Sequence, residues 1–147
     1  MNFGGFDHAD VRVKSIRAVE TFYDTLMPML GLPRKRRAFV DEQGEWHSIS
    51  PDQTTNAIEY YEPEGIAHPA HFVGFIEDPE MQPSQTRIAF RLPPDADWRA
   101  FLDLLSTIGA RNLEVSADLQ QYPALFFEDP AGTRLELCWR SQPPPSS

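Results

Sequence analysis

The chain has 147 residues, 41% of them apolar and 24% charged, with a formal net charge of −9 at pH 7. Those proportions describe one globular domain rather than a disordered or fibrous chain. The acidic balance argues against nucleic acid, whose phosphates call for a Lys/Arg surplus. The single Cys138 can form no internal disulfide, and no stretch approaches the ~20 apolar residues of a membrane span. Residues 1–10 lack a basic region followed by an apolar run, so the expected location is cytoplasmic.

A strand is predicted at His8–Val13, where Val11 and Val13 share one face and His8, Asp10 and Arg12 the other. Val19, Phe22, Tyr23 and Leu26 then fall at i, i+3, i+4 and i+7, the apolar stripe of a core-packed helix. Ser15 is placed to cap it, and Pro28 and Gly31 are expected to end it. Strands follow at 37–41, 46–50 and 56–62, the first two joined by a turn near Glu42-Gln-Gly44. Residues 63–84, with scattered prolines, read as a connection with room for an additional strand at 71–76.

The pattern then begins again. Ile88, Phe90 and Leu92 alternate with Arg87, Ala89 and Arg91, and Trp98, Phe101, Leu102 and Leu105 repeat the helical spacing. Asp95 or Asp97 is the expected cap and Gly109 the terminator. Strands at 113–115, 124–128 and 133–139 complete the half, and Asp129-Pro-Ala-Gly132 suits a type I turn between the last two. Residues 141–147 form a Pro/Ser-rich tail.

His8 and Arg87 stand 79 residues apart, Gly31 and Gly109 78, and Glu59 and Glu136 77. So small a drift predicts a duplication: two βαβββ modules, about 6–62 and 85–140, within a single domain over 1–140. The predicted class is α+β, with the modules forming a curved, cleft-bearing mixed sheet. In Ala57–Tyr61, as in Arg134–Cys138, alternation sends the apolar residues to the helix-packed face and Glu59 and Glu136 to the other. His8 and Arg87 point to that same polar face, so a curved sheet would bring four polar side chains into a cleft.

The segments His8-x-x-x-Arg-Val, Phe22-Tyr23 and Leu30-Gly31-Leu32 resemble the opening of the glyoxalase/bleomycin-resistance/extradiol-dioxygenase proteins, the vicinal-oxygen-chelate superfamily. The ending Phe127-Glu-Asp-Pro-Ala-Gly-Thr-Arg-Leu-Glu-Leu137 is similar to that superfamily's closing hairpin. The resemblance implies a divalent metal at positions matching His8, Glu59, Arg87 and Glu136. Such a metal binds two vicinal oxygens of a substrate, polarises a carbonyl and stabilises an enediolate, or in iron members activates dioxygen.

Arg87 departs from the pattern, because a guanidinium has donors only and cannot ligate a metal. His8, Glu59 and Glu136 stay as candidate ligands for Fe, Mn, Ni or Zn, with Glu136 and Arg87 as catalytic candidates and Arg87 orienting an anionic group. The other reading is a metal-free binding protein of the drug-sequestering kind, in which Arg87 pairs with Glu136 or Glu59. Tyr61, Tyr122 and His47 are further substrate-contact candidates, although an exposed His47 with no catalytic role is the simpler view. Cys138 reads as a packed, inert thiol, Arg34-Lys-Arg-Arg37 as a solvated cluster or one at the cleft's rim, and His68 and His71 as loop residues. A lyase, isomerase or dioxygenase working on a small molecule, as a homodimer, is the expectation that follows from the resemblance.

Overall fold

The computed structural model describes residues 5–139, so the 141–147 tail lies outside the described residues. The chain divides into two compact units, residues 1–82 and 83–147.

In the first unit, β1 (His8–Val13), β2 (Arg34–Val40), β3 (Trp46–Ser48), β4 (Ala57–Tyr61) and β5 (Phe72–Glu77) form one sheet in the order β1-β5-β4-β2-β3. β1 and β5 are parallel, and the other pairs antiparallel. Helix α1 (Ile16–Met29) lays Val19, Phe22, Tyr23 and Leu26 into the core, all of them buried. Tyr23 stacks on Phe75 at 3.7 Å between centroids, and Tyr60 meets Phe75 edge-on. Burial pushes the Tyr60 phenol well above its ordinary range, and its hydroxyl donates to Asp24 Oδ1 at 2.8 Å.

Ser15 is the residue before the helix, as expected, but its side chain makes no capping bond. The first free N–H, that of Ile16, instead donates to Glu77 Oε2 at 2.8 Å, so the end of β5 caps α1. Pro28 does not stop the helix; it sits within the last turn, where a missing N–H costs only one bond. The chain turns at Gly31, whose φ of +87° suits a residue without a Cβ.

The second unit has β6 (Arg87–Arg91), α2 (Trp98–Ile108), β7 (Arg111–Val115), β8 (Ala124–Glu128) and β9 (Arg134–Cys138). Its sheet runs β6-β9-β8-β7, with β6 and β9 parallel. Asp97 caps α2 by accepting from the N–H groups of Arg99 and Ala100, and Gly109 ends it at φ +95°. Phe101 and Leu105 are buried, as are Leu125, Phe127, Leu135 and Leu137 of the sheet. The β8–β9 turn closes as expected, with Gly132 N–H donating to Asp129 O at 3.0 Å. The buried Asp129 carboxylate also accepts from the N–H groups of Ala131 and Thr133.

The two sheets share one topology, but one of the three sequence correspondences fails. β5, expected only as an addition within the connection, is the strand parallel to β1 and therefore the counterpart of β9. Ala57–Tyr61 is not the last strand of its module. It corresponds to β8, and β3 is an edge addition that the second unit lacks among the described residues. Glu59 and Glu136 are thus not equivalent: the first sheet has Gly74 where the second has Glu136, and the second has Phe126 where the first has Glu59.

Candidate functional site

In each sheet the face away from the helix-packed side chains carries most of the candidates: His8, Glu59 and Tyr61 in the first, Arg87 and Glu136 in the second. Cross-strand register in the first unit sets them in rows. The central row is Asp10, Gly74, Glu59 and Arg36, one residue from each of β1, β5, β4 and β2. The row beside it is His8, Phe72, Tyr61 and Arg34. That second row is a continuous stack. His8 lies 4.5 Å from Phe72 with rings 6° apart, Tyr61 stacks on the same phenyl at 4.6 Å, and the Arg34 guanidinium is 5.6 Å from the Tyr61 ring.

Gly74 makes the central row possible. A Cβ there would lie 2.6 Å from Asp10 Oδ1 and 3.8 Å from Glu59 Cγ, so the two neighbouring carboxylate side chains occupy the space a side chain would fill. Glu59 is 4% exposed. Its Oε2 has no hydrogen-bond donor, and Arg36 Nη1 at 3.4 Å supplies charge without a hydrogen bond to that atom. A buried carboxylate oxygen left this way is costly unless a cation or donor reaches it.

His8 Nδ1 is 2.8 Å from Asp7 Oδ2, and its Nε2 is 3.8 Å from Asp10 Oδ2. The Asp7 hydrogen bond raises the His8 pKa against a smaller opposing effect of burial, with the charges of Asp10, Asp7 and Glu59 adding to the rise. With a carboxylate holding Nδ1, the neutral ring presents the Nε2 lone pair, the orientation in which a second carboxylate prepares a metal-ligating imidazole.

The second unit places Ala89, Glu136, Phe126 and Glu114 in its central row. Glu136 is also 4% exposed, and one of its oxygens has a hydrogen-bond donor. Tyr122 O–H donates to Oε1, and Arg87 Nη1 lies 3.9 Å from Oε2 while its guanidinium covers the Phe126 ring at 4.7 Å. Arg87, Phe126, Glu114, Asn112, Glu128 and Arg134 line a pocket of about 270 Å³.

The remaining candidates are placed as follows. Tyr61 shares the face of Glu59, and burial first, then the Glu59 charge, raises its phenol. Tyr122 serves Glu136 directly. His47 pairs across β2–β3 with Phe39, on the opposite face from Glu59, and its Nε2 is 2.6 Å from Asp41 Oδ2. Cys138 is buried beside Glu136's strand position, facing Arg91 in register. Sequence reasoning left out Arg36, Phe72, Gly74 and Phe126. A glycine amid the apolar alternation of Phe72–Glu77 was the signal available for Gly74.

The Glyoxalase/Bleomycin resistance protein/Dioxygenase superfamily model matches residues 5–137. The chain belongs to that superfamily. No curated protein matches it in sequence. Among solved structures, this superfamily member is similar to a glyoxalase/dioxygenase from Nostoc punctiforme, at 19% identity and TM-score 0.60 over 96% of this chain and 94% of that one. It is also similar to the fosfomycin resistance protein FosX from Mesorhizobium loti, at 15% identity and TM-score 0.55 over 93% and 92% of the two chains. A third neighbour is a point variant of FosX from Listeria monocytogenes, complexed with Mn(II) and 1S,2S-dihydroxypropylphosphonic acid, at 13% identity and TM-score 0.57 over 95% of each chain. At these identities the neighbours support the fold. No helix among the described residues is long and apolar enough to cross a membrane.

Proposed function

We propose that the chain binds a small oxygenated substrate through a divalent cation (Fe, Mn, Ni or Zn) and acts on it as a lyase, isomerase or dioxygenase. His8 and Glu59 are its ligands in the first unit; in the second unit, taken by itself, Glu136 is the metal-ligand candidate. The observation that carries the metal reading is Glu59 Oε2, buried and without a donor, on the same sheet face as an imidazole whose Nδ1 is already held. The donor set fits a cation: one imidazole and carboxylate oxygens suit these metals and leave positions open. When bound, such a cation supplies Lewis-acid polarisation of a substrate oxygen. The chain's own residues do the rest. Tyr122 fixes the Glu136 carboxylate, Tyr61 and Phe72 present an aromatic surface, and Arg87 offers donors to an anionic group on the substrate. A cytoplasmic location and a homodimeric state belong to the same proposal, resting on the cysteine count and the resemblance.

The test is elemental analysis of protein purified without chelators, together with melting temperature after metal removal and re-addition. The metal reading predicts bound metal in the wild type, a rise in melting temperature on re-addition, and loss of both in Glu59→Gln. A wild type that retains no metal and does not respond to Mn(II), Fe(II), Ni(II) or Zn(II) would overturn it.

A second reading has its own support in the Arg87–Glu136 contact. Arg87 balances the Glu136 charge, Tyr122 satisfies its other oxygen, and the pocket beside Phe126 combines an aromatic wall with two arginines. That arrangement suits metal-free binding of a planar or anionic small molecule. It predicts that Arg87→Ala destabilises the protein unless Glu136 is also replaced, a coupling that a double-mutant cycle measures directly.

A further inference from the structure

We propose that the β4–β5 hairpin carries a separate cation site, made by Glu62, His68 and His71, that takes an imidazole-preferring divalent ion such as Zn(II). One nitrogen from each ring and one Glu62 carboxylate oxygen all lie within 4.8 Å of one another, which among the described residues is the closest-grouped set of three metal-ligating types. The hairpin brings them together for backbone reasons. Glu62 follows β4 and His71 precedes β5, and they pair at the base of the loop: Glu62 N–H donates to His71 O at 3.1 Å, and His71 N–H donates to Glu62 Oε2 at 2.9 Å. His68 lies in a bend before Pro69, and its ring is 4.8 Å from that of His71, with His68 Nδ1 3.8 Å from Glu62 Oε2.

The free rings are held by backbone carbonyls. His68 Nδ1 is 2.9 Å from Pro69 O, and His71 Nδ1 is 3.3 Å from Asp7 O. A carbonyl only accepts, so in both neutral rings the proton sits on Nδ1 and the lone pair on Nε2. Metal-ligating histidines are usually held by a backbone carbonyl on the nitrogen that does not bind the metal; His68, whose Nδ1 is also the nitrogen 3.8 Å from Glu62, would exchange its carbonyl contact for the ion. Two imidazoles and a carboxylate make a three-ligand set that keeps a position open, and His68, Pro69 and His71 line a surface pocket of about 470 Å³ together with Phe6 and Asp7, where a further ligand could enter. This site uses none of the ligands proposed above. Asp7 touches both regions, its carbonyl holding His71 and its carboxylate holding His8.

The experiment is a Zn(II) titration of metal-stripped, full-length protein, followed through the ring resonances of the histidines by NMR and through affinity by calorimetry. Wild type should show the His68 and His71 ring signals shifting together. Affinity for that event should fall at least about tenfold in His68→Ala and in Glu62→Gln, and persist in His8→Ala and Glu59→Gln. Metal-free melting temperatures of the hairpin variants close to wild type would show that the fold is intact; His68→Gln, which keeps a polar side chain without the imidazole, serves if His68→Ala is destabilised. Wild-type Zn(II) affinity in both His68 variants, or absence of any His68 or His71 response in the wild type, would overturn the assignment. Loss of the event in His8→Ala would overturn its independence, whereas loss of a different event there bears on the cation of the proposed function.

Discussion

The two sheets are built on one plan and solve the same local problem in opposite ways. In the first, the strand next to β1 has glycine at the central row, and carboxylates from the strands on either side fill the gap: Asp10 and Glu59. In the second, the equivalent strand carries the carboxylate itself, Glu136, between the small Ala89 and the flat Phe126. A buried carboxylate needs a small neighbour and a compensating cation, and each sheet supplies both. Gly74 and Arg36 serve Glu59; Ala89 and Arg87 serve Glu136. The difference lies in completion. Glu136 Oε1 has a hydrogen-bond donor in Tyr122, while the buried Glu59 Oε2 has none and only the Arg36 guanidinium at 3.4 Å beside it.

The cores beneath those faces should be alike. Leu26 of α1 and Leu105 of α2 are both fully buried, and truncating either to alanine should cost about 2–5 kcal/mol in urea unfolding. A cost below about 1 kcal/mol at either position would show that the two modules are not packed as equivalents.

Gly74→Glu would write the second sheet's pattern into the first and set three carboxylates in one row. Like charges and lost space predict a loss of about 1–3 kcal/mol, recovered in part when Glu59→Gln is added. No loss would mean the row is looser than the Gly74 contacts imply.

The helix starts differ as well. Asp97→Ala and Glu77→Ala should each lower stability by about 1 kcal/mol, whereas Ser15→Ala should stay within about 0.5 kcal/mol because its side chain caps nothing. Thermal unfolding of the three variants ranks them.

The smallest effect concerns Glu20 on α1. Burial alone would raise its carboxyl, but hydrogen bonds from Lys35 (2.6 Å) and Arg37 outweigh it and hold the group below its ordinary range. A depressed folded value contributes stability above the unfolded carboxylate range, and that contribution disappears as pH falls through the lowered value. Glu20→Gln should therefore flatten the acid limb of the stability–pH curve slightly, and an unchanged limb would show that Lys35 and Arg37 do not hold the charge in solution.

Much of this plan was legible in the residues. Alternation placed β1, β6 and β9, helical stripes placed both helices, and Asp129-Pro-Ala-Gly132 gave its turn, because each of those signals is local. The matching of last strands was not, since Glu59 sits in an Ile-Glu-Tyr alternation so like Leu-Glu-Leu that only pairing partners distinguish β4 from β9. Strand order depends on long-range contacts that no window of sequence contains. Period two puts His8 and Glu59 on one side, as the strand register does, whereas His47 lies on the other. What escaped was the company they keep: Arg36 looked like part of a surface cluster, and Gly74 earns its importance from neighbours on two other strands.

The most direct test of the proposed cation is a Mn(II) titration by calorimetry on the His68→Ala protein, which silences the hairpin site. The account predicts stoichiometric binding there, weakened at least about tenfold by adding His8→Ala or Glu59→Gln. Binding that is absent from the His68→Ala protein, or that survives both substitutions, would contradict it.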